Sequence, residues 1–515
     1  MQIYDTTLRD GAQCSEVNFS VDDKLAIFER LVAIGIPYIE GGWPGANPKD
    51  EEFFKKIQNS HLVAFGSTRR PGKKAEQDEL LKALVNAKTS VITIFGKSWD
   101  LHVKDALNIP LEENLEIVFD SIKYLKKHVE EVFFDAEHFF DGYKANNKYA
   151  LEVLNTAKSA GADCLVLCDT NGGVLPQEIS VILEDLKKYK FNLGLHLHND
   201  SDTAVASSLI GATKGVNQIQ GTINGIGERC GNANLISVIA DLQLKMGIQC
   251  LPKGNLKKLK KLSAFVSEIG NLGYFRRQPF VGHYAFAHKG GIHVSAVAKN
   301  TFTYEHIDPE LVGNKRKILV SDQSGKSNIL DKTTAFGIKL DKNDPKLKQI
   351  LNEVKLMEHQ GYVFENAEAS FEILVHKLTG KYKPFFELLS FHVTDNIDPN
   401  DDKAHSEATI RIRVGEREEH TAALGSGPVN ALDNALRKAL LQFYPQLKNV
   451  KLLDYKVRVL PVTDIEATDS VVRVWIESTD GVEKWATVGV SQNIIHASWK
   501  ALVDSLEYKL MKKSF

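Results

Sequence analysis

Through its first half the chain alternates short, almost wholly apolar runs with longer stretches whose apolar residues recur at helical spacing. The short runs, rich in Val, Ile, Phe and Tyr, predict strands over Gln2–Leu8, Tyr38–Gly41, Leu62–Gly66, Val91–Phe95, Val132–Asp135, Cys164–Cys168, Leu193–His198 and Gln218–Thr222. Between them the spacing predicts helices, as over Val21–Ile34 and Leu111–His128. Ser20 reads as the N-cap of the first, with Asp22 and Asp23 in the turn where the helix dipole favours negative charge. This order predicts an α/β fold, a (β/α)8 TIM barrel over residues 1–250, in preference to an open doubly wound sheet. Such barrels gather reactive groups at C-terminal strand ends. Arg9 and Asp10, Glu40, Glu137, Asp169 and Thr170, and His198 all fall at such ends.

After the barrel the pattern changes. Residues 251–384 read as Lys-rich helical linker subdomains, with Lys257–Lys261 expected as a solvated helix face. In Ala287-His-Lys-Gly-Gly-Ile-His293 two histidines flank a glycine pair, and either a structural or a site role fits each. Residues 385–515 form a separate domain in which Gly427–Leu440 and Gly489–Leu502 align at a fixed offset. Alternating strand patterns, such as Ala408–Val414 and Val471–Ile476, precede each segment. A duplicated, strand-rich and helix-ended unit without an obvious catalytic group suits regulation or oligomerisation.

A length of 515 residues exceeds one ordinary domain. With 64 Lys and Arg against 66 Asp and Glu, evenly spread, the chain has no basic stripe to bind nucleic acid or a membrane surface. Small-molecule partners are therefore expected. No secretory leader or long apolar run is legible, which predicts a cytoplasmic protein. The five cysteines form no CxxC, and Cys164 and Cys168 on one apolar strand are expected to pack.

The chemistry is most legible in Leu193-Gly-Leu-His-Leu-His-Asn-Asp200. Alternate residues of a strand point the same way, so His196 and His198 converge, and neutral imidazole ligates divalent metals. With Asp10 they make a three-ligand site with open positions, suited to Lewis-acid activation of a carbonyl on a chelating substrate. Zn, Mn or Co suits these donors, Mg less so. Gly221–Asn232 lacks the lysine of a phosphate loop and reads as a site-lining loop whose glycines let backbone approach a ligand.

These motifs together resemble the acyl-transferring Claisen synthases of the 2-isopropylmalate, homocitrate and citramalate synthase family. The resemblance covers nearly the whole chain: Asp5–Gln13, His196–Asp200, Gly227–Asn232, Gly291–His293 and the duplicated C-terminal domain. It is nearest to the citramalate branch, through Ala12 where isopropylmalate synthases usually carry glutamate, and through Glu40–Lys49 and Phe95–Trp99. It implies Asp10, His196 and His198 as ligands of a divalent metal with Asn232 near or in the shell. It also implies Arg9 at the keto oxygen and Thr170 as donor to the 2-oxo acid carboxylate. His293 and Tyr304 match positions that the family brings from a neighbouring subunit of a homodimer, and Glu137 matches the carboxylate paired with that histidine.

The expected reaction joins acetyl-CoA to pyruvate, with His293 and Glu137 deprotonating the thioester, and the expected effector is isoleucine. Asp135 stands where many relatives have a small or apolar residue, and Asn493 where relatives often carry aspartate; the first leaves the acceptor's side chain open, the second the effector. Alternatives are 2-isopropylmalate synthesis from 2-oxoisovalerate, a carbon–carbon lyase on the same barrel, and a non-catalytic metal-binding regulator.

Overall fold

The computed structural model describes residues 1–396, 405–460 and 470–512. Eight parallel strands close a barrel in chain order: β1 (Gln2–Asp5), β2 (Tyr38–Gly42), β3 (Leu62–Ser67), β4 (Val91–Lys97), β5 (Glu131–Glu137), β6 (Cys164–Asp169), β7 (Leu193–Leu197) and β8 (Gln218–Gly221), which pairs with β1. The helices between and after them are α1 (Val21–Ile34), α2 (Pro48–Lys56), α3 (Glu79–Asn86), one-turn α4 (Asp100–His102), α5 (Leu111–Leu125), α6 (Phe139–Ala160), α7 (Pro176–Leu186), α8 (Ala204–Thr213), α9 (Leu235–Leu244) and α10 (Leu259–Ile269). The capping expected for α1 is present in full: Ser20 Oγ accepts from the Asp23 N–H and the Asp23 carboxylate accepts from the Ser20 N–H. Gly35 ends the helix at φ 94°, its N–H meeting the carbonyls of Leu31 and Val32.

Side-chain alternation fills the lumen. Tyr4, Val63, Val91, Phe133, Cys164, Val166 and Cys168 form its apolar cluster. Burial pushes both thiols up, so they pack rather than react. Toward the C-terminal ends the lumen turns polar, beginning where the Tyr4 hydroxyl donates to Glu40 at 2.6 Å. Three strands are shorter than the apolar pattern predicts, β8 by the single residue Thr222. β1 stops at Asp5 because the next residues fold into a turn, and β7 stops at Leu197, leaving His198 in an isolated bridge with Asn232. β4 and β5 run further than predicted, into the charged residues Lys97 and Glu137.

The chain divides into two units: Met1–Phe286 with His306–Arg316, and Ala287–Glu305 with Lys317–Phe515. The stretch expected as one middle domain is thus shared between them. In the second unit, β9 (Ala287–His288) pairs with β10 (Lys317–Ile318), followed by α11 (Gly291–Val297) after β9 and by α12 (Lys326–Ala335), α13 (Pro345–His359) and α14 (Glu368–Thr379) after β10. Ile329, Leu347, Ile350, Val354, Phe371 and Val375 form the core of this helical part.

The expected duplication is present. β11 (Glu387–Asn396), β12 (His405–Val414) and β13 (Arg417–Gly425) form an antiparallel sheet ahead of α15 (Pro428–Leu440). β14 (Lys451–Leu460), β15 (Val471–Thr479) and β16 (Lys484–Ser491) repeat it ahead of α16 (Ile494–Lys512). The register differs from the sequence alignment by one helical turn. Thr421 donates to the Ala435 carbonyl as Thr487 does to that of Ala501, and Asn434 reaches the Leu424 carbonyl as Lys500 reaches that of Val490. The counterpart of Gly427, the N-cap of α15, is therefore Asn493, while Gly489 lies inside β16. A shift of one turn keeps the same face inward, so Ala and Leu spacing could not distinguish the two registers. Among the described residues no helix is long and apolar enough to cross a membrane.

Candidate active site

Beyond β1 the carbonyl of Thr6 accepts the N–H of Arg9 at 3.2 Å and of Gly11 at 3.0 Å, and the buried Asp5 carboxylate accepts from both the N–H and the hydroxyl of Thr7. This turn delivers Arg9 and Asp10 to the barrel mouth. Asp10 Oδ2 lies 3.0 Å from His196 Nε2 and 4.0 Å from His198 Nε2. The segment Gly231–Ala233 runs against the end of β7, Asn199 N–H to Gly231 O and Ala233 N–H to Leu197 O, which sets Asn232 Nδ2 at 3.0 Å from Asp10 Oδ2 and 3.3 Å from His196 Nε2. The loop lines the site as expected, through Glu228 and Arg229, and its glycines also serve this packing. A Cβ on Gly227 would stand 1.9 Å from Asn232 Oδ1, and one on Gly231, at φ 85°, 1.9 Å from the Gly225 carbonyl.

Asp10, His196 and His198 each offer one ligand atom, all within 4.8 Å of one another. The chemistry of the set fits a divalent cation. His196 Nδ1 meets Gln220 Oε1 at 2.9 Å; with its proton on Nδ1, the neutral imidazole would present Nε2, on the Asp10 side, to a cation. Burial works against charge on His196, yet Asp10 outweighs it and raises the imidazole's pKa; a metal ion would supply the positive charge that this carboxylate attracts. Burial holds His198 neutral, pushed down to about 4. Burial also opposes ionisation of Asp10, but Arg9 and the two histidines hold it far below the usual carboxylate range. Asn232 Oδ1 is buried with no partner among the described residues, and exchanging the amide's O and N would aim that oxygen at the cluster.

A cavity of about 250 Å³ opens on these ligands. Arg9 enters it with Nε bound to the fully buried Glu40 and its guanidinium 3.8 Å above the Phe65 ring. Trp43, Phe65 and Phe95 form the cavity's aromatic wall, the indole edge-on to both phenyl rings. On the other side Thr170 Oγ1 accepts the His138 N–H at 2.9 Å, while Arg229, paired to Asp200 through two nitrogens, donates to the Thr170 carbonyl. Glu137 lines the cavity too, in an ion pair with Lys97.

Burial pushes the Asp135 carboxyl, also on the cavity, up to about 7, with His196 opposing the rise. Asp169 instead serves the backbone, accepting from the N–H groups of Gly173 and Val174.

Sequence reasoning missed Lys97, Gln220, Arg229 and the aromatic wall. Gln218 and Gln220, polar at alternate positions of an otherwise buried strand, were the available signal for the second. His293 and Tyr304 belong to the second unit. Their rings stack with centroids 4.1 Å apart, and Tyr304 is 46% exposed beside Ile292 at 80% and Phe302 at 73%. His288, by contrast, is buried against Glu305 at 3.0 Å, a structural residue.

The cavity rests on a loop that the buried Lys24–Asp50 ion pair fixes in place. Asp50 also accepts the Trp43 N–H at 2.9 Å, and Lys24 donates to the Gly41 carbonyl. Removing one partner strands a buried charge, so Asp50→Ala should lower stability by about 3–5 kcal/mol in chemical denaturation. A loss below about 1 kcal/mol would show that the pair is not what holds the loop.

Residues 1–266 match the HMGL-like family, residues 280–362 the homocitrate synthase post-HMGL domain-like family and residues 365–510 the LeuA allosteric (dimerisation) domain. An (R)-citramalate synthase of Aquifex aeolicus is 56% identical over 99% of this chain and 98% of its own. One of Geobacter sulfurreducens is 56% identical with the same coverage of both chains. A 2-isopropylmalate synthase of Methanocaldococcus jannaschii is 31% identical over 99% of this chain and 95% of its own.

Proposed function

The chain belongs to the (R)-citramalate synthase family, and from that premise we propose that it condenses acetyl-CoA with pyruvate and hydrolyses the adduct to (R)-citramalate and CoA. The observation that carries the reading is the convergence of Arg9, Asp10, His196 and His198 on one cavity. A ketone becomes a good electrophile only where fixed positive groups await its developing alkoxide. A divalent ion held by Asp10, His196 and His198, with Asn232 in reach, would polarise the keto oxygen; zinc, manganese and cobalt suit these donors better than magnesium.

Arg9 donates toward the same oxygen with the nitrogens that Glu40 leaves free. The Thr170 hydroxyl already accepts from His138, so its proton remains to donate to the acceptor's carboxylate. The thioester methyl is a weak carbon acid, and we assign its proton to His293, with Tyr304 beside it; their exposure supports delivery to a neighbouring subunit of a homodimer. Glu137, held by Lys97, keeps a carboxylate at the mouth for that histidine. The methyl carbon then adds to the keto carbon, and water cleaves the thioester, which makes the condensation irreversible.

The C-terminal repeats would sense isoleucine, the end product toward which citramalate leads. Five unpaired cysteines accord with a cytoplasmic setting. Thiol release from acetyl-CoA with a panel of 2-oxo acids tests the reading. Pyruvate should give the highest kcat/KM; preference for 2-oxoisovalerate would move the chain to 2-isopropylmalate synthesis, and no release with any acid would fit a lyase or a non-catalytic barrel.

A further inference from the structure

The paired residues of β5 and β6 end at Ala136 and Leu167, yet two groups that reach the cavity from this pair of strands, Glu137 and Thr170, lie past that point. Side chains take over from the ladder. Between β5 and α6, His138 adopts φ 54° and ψ 35°, a left-handed conformation that costs a non-glycine residue free energy and persists only where its surroundings hold it. Its carbonyl accepts the Gly142 N–H at 2.9 Å and opens α6, while its own N–H crosses to Thr170 Oγ1. Asp141 supplies the hold. A single oxygen, Oδ2, lies 2.9 Å from His138 Nδ1 and accepts the Asn171 amide at 3.0 Å, so one carboxylate grips the neighbour of Glu137 and the neighbour of Thr170 together. The His138 ring also packs against His102 and Trp99, with centroids 4.4 and 5.5 Å away. The first turn of α6 is seated on the residue after β4: a Cβ on Gly142 would stand 2.6 Å from the Ser98 carbonyl, and the Ser98 hydroxyl donates to the Glu137 carbonyl at 2.7 Å.

Building on the reading in which Thr170 donates to the acceptor's carboxylate, we propose that Asp141 and His138 are positioning residues for that contact: the Asp141 carboxylate holds His138 in its left-handed conformation, and the His138 N–H holds the Thr170 hydroxyl. The chemistry of the contact sets its direction. A backbone N–H can only donate, so it takes a lone pair of Oγ1 and leaves the hydroxyl proton for the cavity. Without the clamp the backbone relaxes toward negative φ, the N–H swings off Oγ1, and the hydroxyl can turn its proton onto a nearby backbone carbonyl in place of the substrate. Neither positioning residue lines the cavity, so both act through Thr170.

A double-mutant cycle read in steady-state kinetics with pyruvate tests the clamp. Thr170→Val, which keeps the shape and removes the hydroxyl, should raise the KM for pyruvate about ten-fold with the KM for acetyl-CoA unmoved. Asp141→Leu should give a similar rise, and in the Thr170→Val background it should add nothing, because the hydroxyl it serves is gone. Asp141→Asn keeps an oxygen for both donors and should recover most of the wild-type KM. Asn171→Ala loosens one of the two grips and should cost about three-fold; its side chain is exposed, so it reads the clamp even if Asp141→Leu does not fold. Additive effects of Thr170→Val with either clamp variant, equal losses in Asp141→Leu and Asp141→Asn, or an unchanged pyruvate KM in Asp141→Leu and Asn171→Ala overturns the clamp and leaves Thr170 at the carboxylate. An unchanged pyruvate KM in Thr170→Val, or no thiol release with any 2-oxo acid, instead removes the reading on which the clamp rests, and the clamp with it.

Discussion

Asp10→Ala and His196→Ala should each abolish turnover while the barrel stays folded. Each removes a ligand from a cluster that faces the cavity, not from the lumen packing around Tyr4, Val63 and Phe133. The loss should be to background, because the carboxylate is the cluster's one anionic ligand and His196 is fixed toward it by Gln220. Circular dichroism should show an unchanged fold, and metal analysis should show the ion lost with the activity. Near-wild-type turnover in either variant, or in enzyme stripped of metal, would remove these residues from the chemistry.

The second large effect is expected at Arg9. Arg9→Lys keeps the charge but surrenders the planar fork: one ammonium cannot hold Glu40, lie over Phe65 and still donate into the cavity. The alkoxide develops only in the transition state, so kcat should fall by roughly 100-fold or more while the KM for the 2-oxo acid moves less. If steady-state kinetics showed KM alone rising, Arg9 would be a ground-state anchor and the Glu40 clamp a means of binding substrate.

The barrel and the heart of its site were legible because both rest on local rules. Strand alternation turns His196 inward, and β6 places Cys164 and Cys168 where an apolar strand should. The remainder depended on contacts between segments far apart in the chain. Asn232 reaches Asp10 only because its loop doubles back along β7, and Lys97 finds Glu137 only because β4 and β5 are neighbours running two residues longer than their apolar cores. The register of the C-terminal repeats failed for a different reason. On a helix, residues one turn apart share a face, so the pairing of Gly427 with Gly489 satisfied every sequence criterion that its pairing with Asn493 does. Gly489, aligned with the helix start at Gly427, thus lies in a strand and starts no helix.

The same unit constrains where the repeats can be cut from the chain. α14 is tied to α16 by Ser370 to Asp504 at 2.7 Å and Glu372 to Lys512 at 2.8 Å, so cutting the chain near residue 385 would strip a helix of its polar partners along with the repeats. The backbone passes between the two units three times, after Phe286, Glu305 and Arg316. The segment His306–Arg316 belongs with the barrel although both its ends continue into the other unit, so a cut after Phe286 leaves the barrel's main segment covalently separate while the two later crossings stay intact. After such a cut the packing of His306–Arg316 within the first unit is what still links the two covalently separate pieces.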